Sequence, residues 1–215
     1  TKRKKTNSLR IIVVENINKK SYEFWDWFLE NESKIRSLFD NPDKSLIDSI
    51  GSMLKTINAG LGWEIGPGDQ NKYFFAISPN QSKERLNITK KIIALSPDIQ
   101  DWEFLYSKPR KHWKRRLDIQ ICGKQTKIDF NDWRYFLDAF DGRSFFDITF
   151  ILPESEEDCD VIDYEQLAII FVESELGEEL FIEKIGRVKV QTVADDLSRL
   201  THAKYLYDHL CDLIS

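Results

Sequence analysis

Apolar side chains recur at helical spacing in two segments near the start of the chain. Over residues 22–39 they fall close to one face of a helix, and Ser21 is a suitable N-cap. Pro42 breaks this helix, Asp43 or Ser45 starts another, and the same spacing returns over residues 45–57. The pattern predicts an N-terminal helix pair. The apolar positions are Phe24, Phe28, Ile35, Leu38 and Phe39 in the first helix and Leu46, Ile50, Met53, Leu54 and Ile57 in the second.

After Gly60 the period changes from helical spacing to alternation. Residues 61–65 and 72–78 are predicted strands joined by a Gly-Pro-Gly-Asp turn. A helix over residues 82–95 and a strand over residues 101–107 are predicted to follow. Together these elements form a β-β-α-β cassette over residues 61–107. A further short strand is predicted over residues 9–15, where β-branched residues are dense.

A second cassette of the same outline is predicted over residues 134–193. Strands over residues 117–122 and 126–130 precede it, and it opens with a hairpin of residues 134–140 and 144–152. Residues 164–176 suit either a buried strand or a helix, and the length of the segment with Gly177 at its end favours a helix. The last elements are a strand over residues 187–193 and a C-terminal helix over residues 194–214.

The predicted fold class is therefore α+β, with two β-β-α-β cassettes in antiparallel or mixed sheets covered by helices. No linker rich in Pro, Gly or Ser separates the cassettes. Residues 1–215 are accordingly predicted to form a single domain, or two subdomains, 8–107 and 117–215, that share a core. Residues 1–7 are rich in Lys and predict a disordered basic tail.

The composition gives more information about the cellular compartment of the protein than about its function. The net charge of −5 neither demands nor excludes a nucleic-acid partner. The three Cys residues are too scattered for a disulfide framework, which indicates a reducing compartment. There is no signal-peptide pattern and no apolar run of about 20 residues that would span a membrane. We expect a cytoplasmic protein without a membrane partner, whose oligomeric state the sequence does not indicate.

Residues 108–116 form the most conspicuous charged segment, since six of the nine are Lys or Arg. One interpretation is nucleic-acid binding, in which the cations hold phosphates and Trp113 stacks on a base. The other, which the overall acidity favours, is a solvated connection whose charge is balanced by acidic residues of the same protein. The residues of the nucleic-acid hypothesis are Lys108, Arg110, Lys111, Trp113, Lys114, Arg115 and Arg116.

Carboxylates are dense in the loop before residue 164. They could neutralise the basic segment, or they could meet a basic partner protein by charge complementarity. They lack the alternate spacing and central Gly of an EF-hand loop, so no metal site is predicted. The candidate partner-binding residues are Glu154, Glu156, Glu157, Asp158, Asp160 and Asp163.

No motif for catalysis or cofactor binding is present. The chain has no nucleophile elbow, no Walker loop and no dinucleotide-binding fingerprint. His202 and His209, expected on the last helix, are two turns apart and too distant to bind one ion together. Glu175 and Glu179 form a pair of like charges of the kind that supplies a general acid, but acidic helix ends are common. We predict no catalytic residue, cofactor or metal.

Short aromatic and glycine motifs are spread over residues 22–190. They are Phe24-Trp25-Asp26-Trp27-Phe28 with Asn31-Glu32, then Glu64-Ile65 and Ala76-Ile77-Ser78, then Pro97 with Asp101-Trp102-Glu103-Phe104, and finally Leu176-Gly177-Glu178 with Ile185-Gly186. In these motifs the chain resembles a family of uncharacterised bacterial proteins. The resemblance implies a bacterial origin and an α+β fold. The family has no known activity, so the resemblance implies no catalytic residue.

Three hypotheses of function stay open. The favoured one is a non-catalytic intracellular module that binds another protein, for example an antitoxin-like immunity protein that masks a basic toxin. Acidic clusters, many aromatic residues and scarce His motivate it. The alternative is a nucleic-acid-binding protein that uses residues 108–116, and the third is an enzyme of unknown class.

Overall fold

The computed structural model describes residues 2–121, 123–152, 162–192 and 200–215, and for residues 2–14, 121 and 124 it describes the backbone. The chain divides into two compact units, Thr1–Lys108 (unit 1) and Pro109–Ser215 (unit 2). Each unit has a cluster of buried apolar residues of its own. The single domain with a shared core stays a prediction, and each unit is described by itself.

Unit 1 begins with two helices, α1 (Lys2–Ser37) and α2 (Lys44–Ile57). Of the two predicted start residues of α2, Asp43 is confirmed as the N-cap, because its carboxylate accepts hydrogen bonds from the backbone N–H groups of Ser45 and Leu46, at 2.9 and 3.3 Å. Leu46, Ile50 and Leu54 of α2 are buried, as their spacing predicts.

The first helix is much longer than predicted, and the strand over residues 9–15 is wrong because these residues lie within α1. β-Branched residues favour a strand only where a neighbouring strand pairs with it, and the sheet of unit 1 is built from later residues. Ser21 is not an N-cap, since its hydroxyl donates to the carbonyl oxygen of Ile17 inside the helix, at 2.7 Å. The helical backbone also includes residues 2–7 of the predicted tail.

The first cassette is confirmed as β1 (Gly62–Pro67), β2 (Tyr73–Ser78), α3 (Lys83–Ile93) and β3 (Trp102–Leu105). The sheet order is β1-β2-β3, with β2 antiparallel to β1 and parallel to β3.

The core of unit 1 is aromatic and centres on Phe28 of α1, whose side chain is fully buried. Its ring lies 5.1 Å from Phe75, 5.4 Å from Phe104 and 5.6 Å from Trp102 between centroids, in edge-to-face geometry. Such contacts add to the free energy of burial that large rings already provide. The apolar stripe of residues 24–39 therefore fastens α1 to the sheet.

Unit 2 opens with a hairpin of β4 (Arg116–Ile121) and β5 (Lys124–Asp129). Gly123 forms the turn between these strands, with φ at 80°. The second cassette follows as β6 (Arg134–Phe140), β7 (Phe145–Ile151), α4 (Tyr164–Leu176), α5 (Glu178–Lys184) and β8 (Ile185–Gln191).

The two cassettes share their strand directions. In the second, β7 is antiparallel to β6 and parallel to β8, which is the arrangement around β2 in the first. The predicted repeat of β-β-α-β order is confirmed at the level of topology. The helical assignment of residues 164–176 is also confirmed, whereas α5 was not predicted.

The C-terminal helix was predicted over residues 194–214, of which residues 194–199 lie outside the described residues, and its described part is shorter than predicted. Residues 200–202 are not helical, because Thr201–His202 pairs with β6 as a short strand, β9, and α6 spans Leu206–Ile214. His202 accordingly lies in a strand, while His209 lies in α6 and its Nδ1 is 2.8 Å from the Tyr135 hydroxyl oxygen. No helix in the described parts of the chain is long and apolar enough to cross a membrane.

Replacing Phe28 by Ala is expected to lower the free energy of unfolding by about 3–5 kcal/mol, because it leaves a cavity among the rings of unit 1. The adjacent Leu29→Ala is the matched control, since Leu29 is 48% exposed and its loss is expected to cost less than about 0.5 kcal/mol. Urea unfolding followed by Trp fluorescence measures both. Equal losses in the two variants would contradict this packing of α1 on the sheet.

Candidate functional site

The basic segment, residues 108–116, enters unit 2 at the C-terminal end of α4. The Lys111 backbone N–H donates to the Ser174 carbonyl oxygen at 2.8 Å, and the Arg115 carbonyl oxygen accepts from the Phe130 N–H at 2.9 Å. The main chain is therefore attached at two points, and its side chains are held near the last turn of α4.

Glu175 lies in that last turn and is fully buried. Its Oε1 accepts a hydrogen bond from Trp113 Nε1 at 2.8 Å, and its Oε2 accepts one from Arg115 Nη2 at 3.0 Å. Arg115 Nε is also 2.9 Å from Oε1, an ion-pair contact without hydrogen-bond geometry, and Arg110 Nη2 is 3.9 Å from Oε2. We call Glu175 with Arg110, Trp113 and Arg115 the Glu175 cluster.

Local sequence explains why the carboxylate is placed there. Asp163 caps the start of α4, because its Oδ1 accepts from the Gln166 N–H at 2.9 Å. Gly177 ends the helix with φ at 79°, a value that favours glycine. Between these limits α4 buries Leu167, Phe171 and Val172, and Glu175 continues the same buried side one turn later.

Trp113 is held by packing as well as by its hydrogen bond. Its ring centroid lies 5.7 Å from that of Phe130 and 6.2 Å from that of Phe171, both of which are fully buried. The indole of Trp113 is thus part of the unit 2 core and is only partly exposed. A ring fixed in this way is poorly suited to stacking on a base.

Arg110 connects the cluster to α6. Its guanidinium carbon is 3.8 Å from the centroid of the Tyr207 ring, a distance at which cation–π attraction is favourable. The nearby Cys211 and the burial of the ring raise the pKa of Tyr207, against a smaller opposing effect of Arg110.

Arg116 has a separate carboxylate partner at the end of the β4–β5 hairpin. Its Nε donates to Asp129 Oδ2 at 2.7 Å. Partial burial of Asp129 opposes ionisation, but hydrogen bonds from Asn131 and Arg116 outweigh it and hold the pKa of Asp129 below its ordinary value. Arg116 is largely exposed and Asp129 is partly exposed, so the pair adds little to stability.

The remaining cations of the segment are more open. Lys111 and Lys114 are exposed, and Lys108 is half-buried. The residues proposed for nucleic-acid binding therefore differ in their surroundings. Arg110, Trp113 and Arg115 converge on one buried carboxylate, Arg116 pairs with Asp129, and Lys111 and Lys114 are exposed at the surface.

Most of the predicted acidic surface lies outside the described residues. This holds for Glu154, Glu156, Glu157, Asp158 and Asp160. Asp163 is described, exposed, and occupied as the cap of α4.

Unit 1 contains a second cluster of the same chemistry, which sequence inspection missed. Glu32 Oε1 accepts from Trp102 Nε1 at 2.6 Å and from Arg36 Nη2 at 2.6 Å. Arg36 Nη1 also donates to Asp101 Oδ2, at 3.3 Å. The hydrogen bond to Glu32 is the main reason why the pKa of Arg36 is raised. The i,i+4 spacing of Glu32 and Arg36 is the one signal in the sequence that points to it.

The chemistry of these clusters is structural. Both Glu175 oxygens accept from fixed donors, so the carboxylate is poorly placed to take a proton from a substrate. Within the described residues there is no group of three or more His, Cys, Asp or Glu side chains that could hold a metal ion.

No family model, curated protein or solved structure matches this chain. The resemblance to uncharacterised bacterial proteins stays a prediction.

Glu175→Ala is expected to lower the free energy of unfolding by about 3 kcal/mol, because it leaves Arg115 and the Trp113 N–H without their acceptor. Chemical denaturation measures the loss. Glu165→Gln is the matched control, since Glu165 is an exposed carboxylate on the same helix, and a change below about 0.5 kcal/mol is expected. In a double-mutant cycle with Arg115→Ala, additive losses would show that the pair is not coupled.

Proposed function

We propose that the protein is a non-catalytic module that binds another protein through an acidic and apolar face, and that its partner presents a basic surface. An antitoxin-like immunity protein that masks a basic toxin is the specific form we favour. The observation that carries the proposal is the solvent-exposed side of α1, opposite the aromatic stripe of the unit 1 core.

Two large side chains stand on this side of α1 without being buried. Tyr22 is 54% exposed and Leu29 is 48% exposed. With Asp26 they occupy positions i, i+4 and i+7, so the three side chains follow one line along the helix. A partner that covered this line would remove both apolar side chains from water, which favours association.

The line is bordered by carboxylates. Glu23 and Glu30 are exposed beside Tyr22 and Leu29, and Asp26 lies between them. Of these only Glu23 has a described ion pair, with Lys19 at 3.8 Å and largely in solvent. We call Tyr22, Glu23, Asp26, Leu29 and Glu30 the α1 face. Its charge suits a basic partner, which it would attract over a distance of about one Debye length.

The α1 face belongs to a helix that is packed on the core of unit 1, so the face is already ordered before a partner binds. Phe24, Trp25 and Phe28 are buried on the opposite side of the same turns. Trp25 Nε1 also donates to the Ile92 carbonyl oxygen at 2.9 Å. A preformed face loses less conformational entropy on association.

The Glu175 cluster supports the same choice indirectly. The sequence offered residues 108–116 as the main alternative, a phosphate-binding segment. Two of its arginines and its Trp are directed at the protein's own carboxylate, which leaves that segment with less free positive charge than its composition suggests.

The test is capture of the partner from the organism of origin by the tagged protein. The unchanged protein is expected to retain one basic protein in stoichiometric amount. Tyr22→Ala with Leu29→Ala is expected to weaken that complex at least about tenfold, as truncation of central interface residues does. Asp26→Asn with Glu30→Gln is expected to slow association and reduce its salt dependence.

The matched control is Ile170→Ala with Glu165→Gln, which removes an exposed apolar residue and an exposed carboxylate from α4 instead. This variant should bind as the unchanged protein does. Absence of any stoichiometric partner, or equal weakening by the control, would overturn the proposal.

A further inference from the structure

The four-stranded sheet of unit 2 has the order β8-β7-β6-β9, and the end of its β6–β7 hairpin carries a shallow surface cavity of about 510 Å³. It is lined by Phe140, Phe145, Asp147, Arg187 and Lys189. We call these five residues the hairpin-end pocket. None of them takes part in the Glu175 cluster or the α1 face.

Two phenyl rings dominate the pocket. Phe140 and Phe145 are register partners at the end of the β6–β7 hairpin, so their side chains stand next to each other. Phe140 is 50% exposed and Phe145 is 38% exposed, although a phenyl ring has no polar atom that could form a hydrogen bond with water. The exposed part of each ring is apolar surface that another aromatic group can contact.

Two cations stand beside the rings. Arg187 and Lys189 are exposed and two residues apart on β8, so they project from the same side of the strand. The carboxylate of Asp147 is engaged in part, since its Oδ1 accepts from the Arg187 backbone N–H at 2.9 Å. The five lining residues include two cations and one carboxylate, and Asp138, the register partner of Asp147, lies on the same face beside them.

We propose that the hairpin-end pocket binds single-stranded nucleic acid. The phenyl rings stack on one or two bases, and Arg187 and Lys189 contact the phosphates that flank them. Proteins that bind single strands on β-sheets combine aromatic rings with neighbouring cations. Every base has a π-face for stacking on a ring, and every phosphodiester linkage is anionic.

The chemistry separates this ligand from the nearest alternatives. A duplex keeps its bases stacked inside, so it could use the cations but not the rings. An acidic peptide could also use the cations, but its carboxylate side chains offer nothing to stack. The proposal is independent of the protein-binding function, since it rests on different residues in the other unit.

The experiment is a fluorescence anisotropy titration of the whole protein with a labelled oligothymidylate of about 20 nucleotides at low salt. Phe140→Leu with Phe145→Leu keeps the apolar bulk and removes the rings, and is expected to weaken binding at least about tenfold. Arg187→Ala with Lys189→Ala is expected to weaken the salt dependence of binding. The negative slope of the logarithm of the association constant against the logarithm of salt concentration should become smaller in magnitude by about 1.4, because each phosphate neutralised on a single strand contributes about 0.7.

The matched control is Tyr205→Ala with Lys204→Ala, which removes an exposed ring and an adjacent cation elsewhere in unit 2 and should leave binding unchanged. Circular dichroism and thermal melting verify that each variant is folded. The proposal is overturned if the oligothymidylate does not bind, if the Phe variants bind as tightly as the control, or if oligoglutamate or a DNA duplex of equal length binds as tightly.

Discussion

A carboxylate removed from water must be paired, and much of unit 2 is arranged around that requirement at Glu175. Burial of an unpaired charge costs more than most single interactions contribute, so its partners are as necessary as the apolar core. Arg115 and Trp113 supply the donors, and both belong to a segment that has no regular secondary structure until Arg116. The charge on α4 therefore determines where residues 109–116 run, and through them where the β4–β5 hairpin begins.

Unit 1 also pairs a carboxylate with a Trp and an Arg, at positions that do not correspond to those of the Glu175 cluster. Glu32 holds the Trp102 indole and the Arg36 guanidinium, so a helix and the start of β3 are joined by one carboxylate. In both units the Trp combines a large buried ring with one N–H that must be satisfied. Pairing that N–H with a carboxylate fixes the ring's orientation more strictly than apolar packing alone, because a misplaced indole leaves two polar groups unpaired.

The repeated cassettes could be predicted because their signals are local. Alternation, turn residues and the helix cap Asp43 act within a few positions and mark elements that the structure contains, whereas the predicted cap Ser21 lies inside α1. The errors arose where distant residues decide the outcome. Residues 9–15 have strand-forming composition but no strand to pair with, and Thr201–His202 is a strand because β6 lies beside it. Glu175 was noticed as an acidic residue, but its partners lie about sixty positions earlier in the chain, where no periodicity points to them.

For the same reason, the density of charged residues in a segment of the sequence does not show how much of that charge the folded protein leaves exposed. Residues 108–116 are the most basic stretch of the sequence, yet three of their members are directed at Glu175 within the protein. Arg187 and Lys189 are only two cations, separated by Val188, and attract no attention in the sequence. They are exposed beside two phenyl rings because alternation along β8 turns both toward the same side and the β6–β7 hairpin ends there. A ligand responds to the field and surface that folding leaves exposed, so the weaker of the two signals in the sequence marks the better candidate for binding an anion.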